Sequence, residues 1–276
     1  MRIKNDIHIH TTLSACAKED AILTEYVRRA KKDGLEVLGF SNHLWDSTVS
    51  GASNWYKPQT VEHVMQLKTE MPQCMEMDGI RLMLGCETEF TYEGKICLAE
   101  ENMSLFDYIL VPHSHTHMSK VMPQSYASDH KLHAKFLMDS FMKLVNNSLS
   151  RYITAIAHPF VPGTNYDIYN TVQALIPDSY LYEAFRSAKE KGIAIELNGS
   201  CLTYMPDERI PYCEYIRIYS IAKECGCRFT YGSDSHSVND NRKLLVVEIF
   251  CQLCRINEHD FLSINEIKEK SKLLPL

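Results

Sequence analysis

Histidine is the residue type that stands out in this chain. Of twelve His in 276 residues, five fall at or just past the C-terminal end of a run that reads as a β-strand: His8, His10, His43, His158 and His236. His113, His115 and His117 cluster just after another such run. In parallel α/β barrels and sheets, that end of the strands is where sites are built. The His8-x-His10 spacing has a physical reason. Residues i and i+2 of a strand face the same way, so both imidazoles can reach one ion. Asp234-x-His236 repeats the geometry. With His43, Glu87 and His158 after the second, third and fifth runs, the donors exceed what one tetrahedral zinc takes. Two or three divalent ions sharing a bridging carboxylate is the economical reading. Imidazole and carboxylate together suit Zn, Mn or Fe.

Seven short apolar runs carry these residues: Ile3 to Ile9, VLGFSNH to His43, IRLMLGCETEF through Glu87, FDYILVPHSH, YITAIAHP to His158, IAIELNGS and RFTYGSDSH to His236. Helical patterns separate them. The clearest are LTEYVRRAKKDG, PQTVEHVMQLKTEM, the long HKLHAKFLMDSFMKLVNNSL, DSYLYEAFRSAKEKG and EYIRIYSIAKECG. Strands alternating with helices predict an α/β fold with a parallel sheet, and the chain is long enough to close that sheet into a barrel. No GxGxxG follows the first run, which speaks against a dinucleotide-binding open sheet. No linker or repeat divides the chain. It is read as one barrel domain, 1–276, with 251–276 as a peripheral tail.

Composition narrows the function classes. The chain is 45% hydrophobic and 23% charged, which excludes disorder, collagen and coiled coil. Net charge is −6, so an extended nucleic-acid-binding face is not expected. No apolar run is long enough to span a membrane. The opening MRIKNDIHIH has no apolar signal stretch, and ten cysteines then suit a reducing cytoplasm. The Cys251-x-x-Cys254 pair lies in an apolar run without the second pair that a zinc ribbon needs, so both are expected in the core. Cys225 and Cys227 are expected where a helix ends and a strand begins. His63, His130 and His133 are expected on solvated helix faces, and His259 carries no signal. Trp45, Trp55, Tyr56 and Lys57 flank the loop after His43.

The motifs DIHIHTTLSACAKED, GFSNH, GCETEF, AIAHP, ELNGS and GSDSH, in this order, resemble those of the PHP (polymerase and histidinol phosphatase) metallohydrolases. The resemblance runs from Asp6 to His236. It implies a distorted seven-stranded, TIM-like barrel with two or three divalent metals at the C-terminal mouth. It implies that His8, His10 and Asp234 ligate one ion and that Glu87 bridges. His158 falls to the second ion, and His43 and His236 to the third. A further third-ion ligand comes from Cys16, Glu19 or Asp20, with Asp20 favoured. Of His113, His115 and His117, the spacing from Asp107 favours His115.

The activity so implied is hydrolysis of a small phosphomonoester, as by a histidinol-phosphate phosphatase. Two ions sharing a water would bring its pKa toward ~7 and supply hydroxide, with Glu87, His158 and Asp234 at the reacting centre. Asn198 and Arg242 are the candidate substrate contacts. The alternatives are a nuclease acting on nucleic-acid ends and a non-catalytic, metal-binding accessory module.

Overall fold

The computed structural model describes all residues except 73–74, 165, 204–212, 241–243 and 272–276. Seven parallel strands follow one another around the sheet in chain order. They are β1 (Asn5–Ile9), β2 (Val37–Phe40), β3 (Ile80–Thr88), β4 (Tyr108–Pro112), β5 (Ala155–Ala157), β6 (Ala194–Asn198) and β7 (Phe229–Gly232). Two two-residue strands, His43–Leu44 and Glu76–Met77, add to β3. The expected α/β, TIM-like barrel is thus the observed one.

The sheet comes nearly round on itself between β1 and β7. Asp234 N donates to His8 O at 2.8 Å, and His10 N to Ser235 O at 2.9 Å. Asp6 ties the same seam, its Oδ1 accepting from Ser233 N at 2.9 Å. Parallel strands need a crossover between each pair. The crossover helices include α1 (Leu23–Asp33), α2 (His130–Val145), α3 (Asp178–Glu190) and α4 (Cys213–Glu224), followed by α5 (Leu244–Leu253) and α6 (Ile264–Ser271). Helix α1 buries the expected stripe of Leu23, Tyr26, Val27 and Ala30. It ends where Gly34 turns left-handed at φ 72°, a conformation only glycine adopts without strain. Helix α2 starts at Asp129, whose carboxylate accepts from Lys131 N and Leu132 N. The predicted helix at 58–71 is instead two short ones, Val61–Met65 and Leu67–Glu70.

The apolar residues form two main bodies. One lies between the outer sheet face and the helices and includes Leu38, Phe40, Leu84, Ile156, Ile195, Phe141 and Phe185. The other is smaller and draws on six strands: Ile7, Val37, Met83, Tyr108, Leu110, Ala155, Ala157 and Ala194. Side chains from so many strands meet only inside the barrel. The Tyr108 ring fills that space because β3 is bare at Gly85, where a Cβ would lie 2.2 Å from the ring.

The C-terminal tail corrects an expectation. Its described residues, 251–271, pack on the barrel rather than lying peripheral. Ile267 of α6 is 2% exposed and joins the inner cluster. Leu262 N donates to Phe229 O at 2.9 Å, and Arg228 pairs with Glu266. The tail therefore covers the N-terminal end of the strands, opposite the mouth. Cys251 and Cys254 are buried, as expected. His133 is a second correction. It is buried on α2, with Nε2 3.0 Å from Thr116 Oγ1, rather than solvated.

Candidate metal centre

His8 and His10 leave β1 facing the same way, with their Nε2 atoms 3.1 Å apart. From β3, Glu87 Oε2 reaches to 3.3 Å from His8 Nε2 and 3.6 Å from His10 Nε2. Asp234, just past β7, places Oδ1 3.2 Å from His10 Nε2. On the other side of Glu87, His158 Nε2 lies 3.0 Å and His115 Nε2 3.7 Å from Oε1. His43 Nδ1 lies 3.0 Å from Glu87 Oε2. His236 stacks on His10 with ring centroids 4.2 Å apart.

Three groups of donor atoms close enough to share an ion result: His8, His10 and Glu87; Glu87, His115 and His158; and His10, His43 and His236. Glu87 belongs to the first two, and His10 links the first to the third. The strands bring eight of the nine predicted ligands to one mouth. Of His113, His115 and His117, they place His115 in a donor group with Glu87 and His158. His113 instead lies in the core between Phe141 and Phe160, where its Nε2 accepts from Phe160 N at 2.9 Å. Burial pushes the His113 imidazole down to about 3, with help from His158.

The ninth predicted ligand, Asp20, is not brought to these groups. Its Oδ2 accepts from Ser237 Oγ at 2.7 Å and Asn239 Nδ2 at 2.8 Å. Cys16, on the same loop, lines the cavity with His43 and His236. Asn198, expected at the substrate, has its amide occupied. It donates to Glu196 Oε2 and Asp234 Oδ2, and its Oδ1 accepts from Cys201 N. Arg242 lies outside the described residues.

A second layer fixes the imidazoles. His8 Nδ1–H donates to Glu196 Oε1 at 2.6 Å. His115 Nδ1–H donates to Glu89 Oε1 at 2.6 Å. The Ser114 hydroxyl gives its proton to His158 O and so accepts from His158 Nδ1. The Ser14 hydroxyl gives its proton to Asn42 Oδ1 and so accepts from His10 Nδ1. His236 Nδ1 donates to Asp234 O. Five rings thereby have Nδ1 engaged outward and Nε2 turned inward, the orientation that metal ligation uses. Sequence reasoning missed Glu196 and Glu89. The signal was an acid inside an otherwise apolar strand, IAIELN, and an acid two residues beyond Glu87 on the same face.

The chemistry of the donors fits divalent cations. His8, His10 and Glu87 are at most 1% exposed. Glu87 Oε2 and His43 Nδ1 are buried facing each other at 3.0 Å, without a well-directed hydrogen bond to any other group, a condition that an ion between donors would relieve. Burial alone would raise the Glu87 carboxyl, yet His8 and His43 hold it well below the usual carboxylate range. Burial, followed by His236 and His43, pushes His10 well down. Burial opposes charge on His8, yet Glu196, Glu87 and Asp234 hold that imidazole well up. His158 and Asp234 sit at φ 30° and φ 56°. Such left-handed backbone is uncommon outside glycine and clusters at functional sites. Gly232 is the bare backbone that makes room: a Cβ there would lie 2.2 Å from His8 Cβ and 2.3 Å from Glu196 Oε1.

Over the centre opens a cavity of about 500 Å³ whose lining includes Trp55, Tyr56, His117, Met118 and Thr164. Trp55 stands 38% exposed at its rim, whereas Trp45 is buried.

The comparisons agree with this architecture. A protein of Acetivibrio thermocellus named "Probable phosphatase" is 28% identical over 243 residues, covering 86% of this chain and 80% of its own length. A protein of Aliivibrio fischeri, also named a probable phosphatase, is 25% identical over 261 residues, covering 94% and 88%. The crystal structure of histidinol phosphate phosphatase from Lactococcus lactis, complexed with zinc, L-histidinol and phosphate, shares the fold. Its TM-score is 0.60 at 18% identity, with 91% of this chain and 92% of that chain covered. The PHP domain family matches residues 6–200, the stretch that carries six of the eight predicted ligands that converge. This chain, with its barrel and its histidine-lined mouth, belongs to the PHP domain family.

Proposed function

We propose that this protein is a metal-dependent phosphatase that hydrolyses a small phosphomonoester of the histidinol-phosphate kind. One observation carries the reading: three donor groups chained through His10 and Glu87 at the floor of an open cavity. His8, His10, Glu87 and Asp234 would hold one divalent ion, and Glu87, His115 and His158 a second. His10, His43 and His236 would hold a third. Such ions, Zn, Mn or Fe, supply Lewis-acid charge for phosphoryl oxygens and acidify a water at neutral pH.

The chain's own residues supply the rest. Glu196, Glu89, Ser114 and Ser14 keep protons on the outward ring nitrogens, so the inward ones stay free to ligate. Asn198 steadies Glu196 and Asp234 through its amide. Ser14 is not a nucleophile, because its oxygen is taken up by His10, Asn42 and the His43 amide. Trp55, Tyr56 and Met118 wall the space where the organic part of the ester would lie. The A. thermocellus and A. fischeri names and the L. lactis ligands support phosphate-ester chemistry. The test is a phosphatase screen with Mn and with Zn on protein purified without chelator, beside His10→Ala. Phosphate release that disappears together with bound metal is the expected result. Hydrolysis surviving in the metal-free variant would overturn the reading.

A further inference from the structure

We infer that the cavity at the base of the barrel, at the end opposite the metal centre, binds a small zwitterion with an apolar body, of the kind of an aromatic α-amino acid. This site stands apart from the metal centre and does not depend on it.

Four observations carry it. First, the cavity holds about 350 Å³, within the range of about 300–1,000 Å³ that small-molecule sites occupy. Second, its walls are apolar and come from opposite ends of the chain: Ile3 and Ile7 at the first strand, and Phe261, Leu262, Ile264 and Ile267 in the tail. Such walls suit an apolar body.

Third, a hydroxyl without a partner lies at the buried side. Thr230 lines the cavity and is 3% exposed, and its Oγ1 has no hydrogen-bond partner. The side chain points into the barrel. Its register partner on β6 is Glu196, which reaches inward to His8, while Phe229 and Tyr231 on either side of Thr230 join the outer cluster. A buried hydroxyl left unpaired is costly, and a hydroxyl on the ligand would relieve it. Fourth, the exposed rim offers one charge of each sign. Lys4 and Glu36 in the lining pair with each other at 3.0 Å. Arg2 and Glu258, also in the lining and both exposed, make no ion pair or side-chain hydrogen bond among the described residues. A carboxylate at Arg2 and an ammonium at Glu258 would keep the ligand's charges at the wet end, where holding them costs little.

The experiment titrates the purified protein with four probes and reads the heat of binding and the rise in Tm. The probes are L-tyrosine, L-phenylalanine (no hydroxyl), tyramine (no carboxylate) and 3-(4-hydroxyphenyl)propionate (no ammonium). Tyrosine should bind tightest, and each of the others should be weaker by roughly 3- to 10-fold. Arg2→Ala should erase the advantage of tyrosine over tyramine, and Glu258→Gln its advantage over the propionate. Thr230→Val should erase its advantage over phenylalanine. Ile264→Trp, which fills the cavity, should abolish binding. No binding of any probe overturns the site, as does binding that survives Ile264→Trp or that inorganic phosphate displaces from the mouth. Neither result touches the phosphatase reading, which metal uptake and phosphate release decide. Advantages of tyrosine that persist in the Arg2, Glu258 and Thr230 variants overturn the ligand class. Should Ile264→Trp fold poorly, the isosteric Thr230→Val decides: tyrosine still binding tighter than phenylalanine there overturns the assignment.

Discussion

The two ends of this barrel are built from the same seven strands and follow opposite rules. At the mouth, buried groups are ionisable: His8, His10, Glu87 and Glu196 are all at most 1% exposed. Two of the residues there, His158 and Asp234, hold left-handed backbone. At the base, Ile7, Val37 and Ile267 pack against one another under the tail, beside a cavity of about 350 Å³. Burying an apolar side chain contributes roughly 1.5–3 kcal/mol, whereas burying a charge without partners costs more than that. The difference teaches a division of labour. The base supplies the stability that lets the mouth hold charges and strained residues.

This contrast can be broken most sharply at Glu87. Glu87→Gln removes the carboxylate common to two donor groups. It should lower kcat by on the order of 10³-fold or more, as several kcal/mol of metal-borne charge stabilisation are lost. Far-ultraviolet circular dichroism should stay that of the folded barrel, and metal analysis should show fewer bound ions. A variant that keeps both metal and rate would erase the mouth's special status. At the base, Ile267→Asp should act in the reverse sense. Placing a carboxylate among apolar side chains should cost roughly 3 kcal/mol or more in denaturant unfolding, with kcat of the folded fraction unchanged. A fall in kcat with unaltered stability would show that the two ends are not separate.

Smaller effects sharpen the comparison. Glu196→Gln weakens the partner behind His8 without touching a ligand, and should lower metal affinity by about 10- to 100-fold. Metal titration against a competing chelator reads this directly, and an unchanged affinity would reduce Glu196 to a structural acid. The smallest effect is a pH dependence at the base. Lys270 donates to Ile153 O at 2.5 Å, and burial pushes its ammonium down from the usual 10.5 to about 8. The folded protein therefore binds this proton less tightly than the unfolded chain. The cost is fully present below pH 8 and fades as pH rises toward 10.5, so stability should climb across that window. Because the side chain is partly exposed, the contribution is about 1–2 kcal/mol. Lys270→Met should remove that share of the climb in unfolding experiments at pH 8 and pH 10.

Much of this was legible in the residues themselves. All seven strands could be read because each is a short apolar run bounded by polar loops, and parallel strands buried on both faces have that signature. The converging donor residues could be read because they recur at strand ends. What escaped depends on contacts that spacing does not encode. Glu196 and Glu89 act through other side chains, so only the position of His8 and His115 reveals them. That Asp20 turns to Ser237 and Asn239 depends on how a loop meets residues far along the chain. The tail was misplaced because INEIKEKS shows an apolar residue or two without showing what they cover. His133 was avoidable. It shares a helical stripe with Leu137, Ser140, Phe141 and Leu144, all buried.

Gly232 has a practical consequence for anyone redesigning this mouth. The seam between the first and last strands and the cradle of the His8–Glu196 pair are one and the same stretch of naked main chain. Even a methyl group at 232 would push against both at once. New specificities should therefore be sought on the rim, around Trp55 and Met118, where the wall can be rebuilt without prising the stave open.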